Sequence, residues 1–170
     1  MTISPHSWGA ERSRHYQEIT ASMTPDPMLE MRADHDRLAG QIGFGKSASD
    51  YLAATIHLDE NERLFFAIMT YVDAVEAQGH AAFFKSEAGV VWKDAIRGLR
   101  LVGAGEHASI LMGASLRAGG DPSLDWEQRQ KQMQNLMPRF DDLDRQFCAS
   151  SPLGAVWRQF YAARFGQVAA

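Results

Sequence analysis

Apolar residues in this chain recur at helical spacing almost from end to end. Leu64, Phe65, Ile68, Met69, Val72 and Val75 follow the i, i+3, i+4 rule and share one stripe of a long helix. Asp59 before that run, with Glu62 three residues on, forms a capping-box start, and Gly79 supplies the left-handed residue that ends helices. Trp92, Ala95, Ile96, Leu99 and Val102 make a second stripe closed by Gly103. Ala108, Leu111 and Ser115 lie on a third helix that stops at Gly119-Gly120. Met133, Leu136, Met137, Phe140, Leu143 and Phe147 continue a helical face, and Pro138 predicts a kink or two helices meeting near Met137. Ser151-Pro152 opens a last helix carrying Val156, Trp157, Phe160 and Tyr161.

Upstream, Ser47 with Asp50 is placed to cap a helix bearing Tyr51, Leu52, Thr55 and Ile56. Thr24 to Pro27 is a breaker, and Gly40 to Ser47 is a candidate flexible linker. Alternating β-branched runs are absent. The expectation is an all-α, compact multi-helix domain of about seven to nine helices. Residues 1–46 read as an N-terminal helical arm and linker, and residues 47–170 as the helical domain.

The 170 residues are 45% hydrophobic, enough for a core without covalent staples. The formal charge of −4 argues against direct nucleic-acid binding, which needs a basic surface to release phosphate counterions. Cys148, the single cysteine, excludes an intramolecular disulfide and a cysteine-rich zinc site. Next to Phe147 it reads as a small buried hydrophobe. MTISPHSWGAERSRHYQ carries no apolar run, and no segment nears the ~20 apolar residues of a membrane span. A cytoplasmic location is expected.

Several patterns suggest chemistry. GQIGFGKS fits the spacing of a phosphate-binding loop, but a helical pattern precedes it where a strand is required, so a helix cap at Ser47 is the expectation. His57, Glu76 and His80 are the candidates for a metal-binding bundle or enzyme. No Glu-x-x-His or His-Glu-x-x-His is present, and Gly79 separates Glu76 from His80, so neither metal nor cofactor is expected. His107, beside Glu106, reads as part of a solvated first turn. Acidic residues gather as Asp59, Glu60 and Glu62 at a helix start, and as Asp141, Asp142 and Asp144 on the helix bearing Leu143 and Phe147. The second row is expected to face water, flanked by Arg139 and Arg145, and both clusters are candidate partner-binding residues.

LDENERLFFAIMTYVDAVEAQGHAAFF, then VVWKDAIRGLRLVGAGEHASIL, then the helix ending LDRQFCAS, resemble the DNA-mimic protein family and its domain of unknown function, over roughly Ser49 to Phe165. The motif corner is Glu76, Gly79, His80, Phe83 and Phe84, with Ala77, Gln78, Gly79 and His80 standing where the family pattern has Asn-Gly-Gly-Phe. The resemblance implies a helical fold, a homodimer, and a non-enzymatic protein that binds a helix-turn-helix regulator by spacing carboxylates like phosphates. A toxin-neutralising, immunity-type protein and a metal-binding bundle or enzyme are the alternatives.

Overall fold

The computed structural model describes residues 27–42 and 47–150, together with Leu153, Gly154 and Trp157. Readings made for residues 1–26, for 43–46, and for Ser151, Pro152, Val156, Phe160 and Tyr161 lie outside the described residues. Those described fold as seven α-helices and one 3-10 segment, without strands. The all-helical expectation holds.

The organising element is α3, Glu60–Lys85. Its start is the capping box read from the sequence: Asp59 Oδ1 accepts the Glu62 N–H at 2.9 Å, and Glu62 returns a carboxylate oxygen to the Asp59 N–H at 3.1 Å. Every residue from Leu64 to Val72 is buried. This differs from the single stripe expected, because Phe66, Ala67 and Tyr71 are covered as well. A helix apolar on all sides is one packed on all sides.

Two helices precede it. In α1 (Pro27–Ile42) Met31, Leu38 and Ile42 are buried in the same core as α3. Gly40, Gln41 and Ile42, expected to open a flexible linker, continue the helix instead. In α2 (Ala48–Thr55) Ser47 is the N-cap. Its Oγ accepts the Asp50 N–H at 3.1 Å, and Asp50 completes the box. The first three residues of GQIGFGKS lie in α1 and its Ser47 caps α2, so a helix stands where a phosphate loop needs a strand.

At Gly79 the α3 backbone leaves the helix, with φ 78° and ψ 175°, then resumes it to Lys85. A 3-10 segment, Glu87–Val91, leads into α4 (Trp92–Leu101). There Trp92, Ala95, Ile96 and Leu99 face inward, and Gly98 lets the helix approach Ile68 of α3. Helix α5 (Gly105–Arg117) packs on α4. Helix α6 (Trp126–Leu136) stops because Met137 turns left-handed at φ 42° just before Pro138. Helix α7 (Asp141–Ala149) then inserts Leu143 and Phe147. Pro138 thus separates two helices, one of the two outcomes its position predicts.

The C-terminal end of α3 is sealed by side chains. Helix ends leave four carbonyls without intrahelical donors. Here Ser86 N–H serves Ala82 and Phe83, Arg129 Nε donates to the Phe84 carbonyl at 2.9 Å, and Trp126 Nε1 donates to that of Lys85 at 3.0 Å. Arg129 also donates to the carbonyls of Ser86, Ser123 and Leu124 at 2.8, 2.6 and 3.2 Å, so one guanidinium ties α6 and the loop before it to the end of α3.

Candidate functional site

The kink at Gly79 frees the next backbone N–H and turns His80 into the core. Its N–H and its Nδ1 both meet Asp144 Oδ1 of α7, at 2.9 and 2.6 Å. On the other side of the ring, Nε2 lies 3.0 Å from the Tyr71 hydroxyl. Both ring nitrogens being in use fixes the tautomer: Nδ1–H donates to the carboxylate, and Nε2 accepts from Tyr71. Desolvation lowers the His80 pKa against the raising influence of Asp144, which matches a neutral ring. Burial and then the Asp144 charge raise the Tyr71 pKa well above its usual range.

Phe83 and Phe84 follow on the same short helical segment. Phe84 packs edge-on to Phe83 at 5.0 Å and stacks on Phe140 at 6.0 Å, while His80 is flanked by Phe140 and Phe147. Tyr71, His80, Phe83 and Phe84 are all fully buried. A hydroxyl, an imidazole and a carboxylate in line resemble an acid–base relay, but no substrate atom reaches a hydroxyl so enclosed. The constellation joins the α3 kink to the first turn of α7.

The rival set does not converge. His57 lies exposed after α2, Glu76 is exposed on α3, and His80 is committed to Tyr71 and Asp144. Among the described residues no group of three or more His, Cys, Asp or Glu side chains is placed to hold a metal ion.

The acidic candidates divide by what they touch. Asp59 and Glu62 cap α3 while keeping their charge near solvent. Glu60 pairs with Arg97 of α4. Asp142 grips Arg117 of α5 through two bonds of 2.5 and 2.7 Å, and that guanidinium holds its pKa down to about 2. Asp141 is exposed, with no ion-pair partner among the described residues. The row expected to face water is therefore broken at Asp144, which bends inward because the kinked backbone at His80 offers it a donor.

Two further readings are corrected. His107 is buried, edge-on to Phe147 at 5.3 Å, instead of standing in a solvated turn. Cys148 is exposed. Consecutive helical residues point about 100° apart, so the inward position of Phe147 turns its neighbour outward. Arg129 was not singled out from the sequence. Its signal was the i, i+4 spacing to Met133, the other buried residue of an otherwise polar helix.

Fold and site together define an all-helical domain whose polar centre is internal and whose carboxylates are set at helix starts. A family model described as DMP19-like protein matches residues 57–161, more than half of the chain, and the chain belongs to that family. The match agrees with the DNA-mimic resemblance read from the sequence and spans α3 through α7. No curated protein and no solved structure matches the chain.

Proposed function

We propose that this chain is a non-enzymatic protein-binding domain of the DNA-mimic type, acting in the cytoplasm as a homodimer on a helix-turn-helix regulator. The observation that supports this most is the position of both acidic clusters, at the N-terminal turns of α3 and α7 inside the family segment. A carboxylate held at a helix start has a fixed place, and fixed negative charge is what a phosphate-binding surface recognises. Arg97 and Arg117 neutralise part of that charge, so the binding is weaker and depends less steeply on salt than a fully acidic face gives. Among the described residues no helix is long and apolar enough to cross a membrane, which accords with a water-facing role.

The test is affinity capture from native cell extract with the wild-type chain and with the triple variant Asp59→Asn, Asp141→Asn, Asp142→Asn. Asparagine keeps the cap at residue 59. The expected result is a DNA-binding protein retained by wild type, displaced by duplex DNA, and lost or strongly reduced with the variant. Equal retention by both proteins, or a partner indifferent to DNA, overturns the reading.

A further inference from the structure

A second surface, opposite in charge, lies where the start of α3 meets the outer face of α4. Lys93, Arg97 and Arg100 follow one another at i, i+4 and i+7, so they form one stripe along about 10 Å of helix. All three are exposed. They line a groove of about 730 Å3 whose floor is Leu64 and Ile96 and whose end is Leu101, itself 53% exposed. The rim cations are lightly held. Lys93 pairs with Asp121 at 2.8 Å and Arg97 with Glu60, both at the surface, where such pairs contribute little and exchange partners at small cost. Arg100 has no ion-pair partner among the described residues.

We propose that this groove receives an acidic amphipathic helix of a partner protein. An apolar stripe on that helix would cover Leu101 and the aliphatic stems of the arginines, while carboxylates spaced at i, i+4 and i+7 would meet the three cations. The charge pattern sets register and encounter rate more than affinity. A nucleic-acid backbone fits less well, because Leu64, Ile96 and Leu101 seat an apolar stripe that a sugar-phosphate backbone lacks. The groove borders the acidic start of α3 through Glu60, which pairs with Arg97; Arg100→Ala leaves that pair and the carboxylates at 59, 141 and 142 in place, so its effect reports on the groove alone.

The experiment uses two labelled synthetic helical peptides, each with a leucine stripe, one flanked by glutamates and the other by lysines. Binding is followed by fluorescence anisotropy and by amide shifts of the 15N-labelled chain. The glutamate peptide is expected to bind saturably, to shift amides of residues 60–64 and 93–101, and to weaken as salt is raised. Arg97→Glu with Arg100→Glu is expected to weaken it at least tenfold with an unchanged circular dichroism spectrum, and Arg100→Ala alone to weaken it measurably. No binding, equal binding of the lysine peptide, unaltered affinity in both variants, or duplex DNA shifting the same amides overturns the proposal. So does self-association in sedimentation that the double variant abolishes, since that gives the groove to a second copy of the chain.

Discussion

His80 and Asp144, 64 residues apart, meet twice at one oxygen: the backbone N–H and the ring Nδ1–H of His80 both donate to Asp144 Oδ1. The double contact exists because Gly79 leaves the helix one residue earlier and releases an amide that would otherwise bond within α3. A helix break and a buried ring are thus satisfied by one carboxylate, and Tyr71 completes the arrangement from the other side.

Stability is expected to fall in mild acid. Desolvation lowers the pKa values of His80, His35 and His107 in the folded protein. The unfolded chain therefore takes up protons first, as pH drops below the ordinary value of 6.5. Stability is full above that value and is lost as pH falls toward the depressed folded values. Asp144 opposes the shift at His80, and Arg117 reinforces it. The slope from His80 is at most about 1.4 kcal/mol per pH unit. Thermal melts should be flat from about pH 7 to about pH 9, short of the range where tyrosines ionise, and decline under about pH 7; a Tm that rises on acidification contradicts the neutral assignment.

Two glycines should respond in opposite directions to alanine. At Gly79 the backbone occupies a region essentially closed to other residues, and an added Cβ would lie 2.8 Å from Asp144 Oδ2. Gly79→Ala is expected to cost at least about 2 kcal/mol. Gly40, helical with nothing within 4 Å of its missing Cβ, should gain about 0.5–1 kcal/mol as alanine. Urea midpoints compare the two directly, and equal effects would mean the kink is not fixed.

Phe84→Ala should cost about 3–5 kcal/mol, the range for removing a fully buried ring. Because Phe84 touches both Phe83 and Phe140, the space left opens between α3 and the start of α7. A denaturation midpoint indistinguishable from wild type would refute this packing.

Arg129 should tolerate neither methionine nor lysine. Methionine leaves the carbonyls of Phe84, Ser86, Ser123 and Leu124 without this donor, a loss of at least about 3 kcal/mol at about 1–3 kcal/mol per buried group. Lysine keeps the charge but lacks the planar fork, so it recovers only part of the loss. Burial lowers the Arg129 pKa to about 10, which keeps the group charged at neutral pH. Full recovery by lysine, read from urea midpoints, would show that charge alone matters.

The parts of this fold written in short-range chemistry were legible from the residues. Asp59 with Glu62, Ser47 with Asp50, the break at Gly79 and the stops at Gly103 and Gly119 are local events, decided within a few residues. The Phe83–Phe84 corner followed from the same break. What escaped depends on distant partners. Nothing near Asp144 tells that a donor arrives from α3, and nothing in WEQRQKQMQNL tells that its arginine enters the core to meet carbonyls from another helix. His107 was misread for a related reason, since Phe147 of α7 covers it, whereas Cys148 was misread against a local cue, the inward position of its neighbour Phe147.

The sealed end of α3 carries one more implication. Its final carbonyls are bound by residues of α6 where water would normally serve them, so loosening either helix strips partners from the other. The pair should then come apart as a single cooperative unit in hydrogen exchange, with amides near residue 84 and residue 129 losing protection together despite the 45 positions between them.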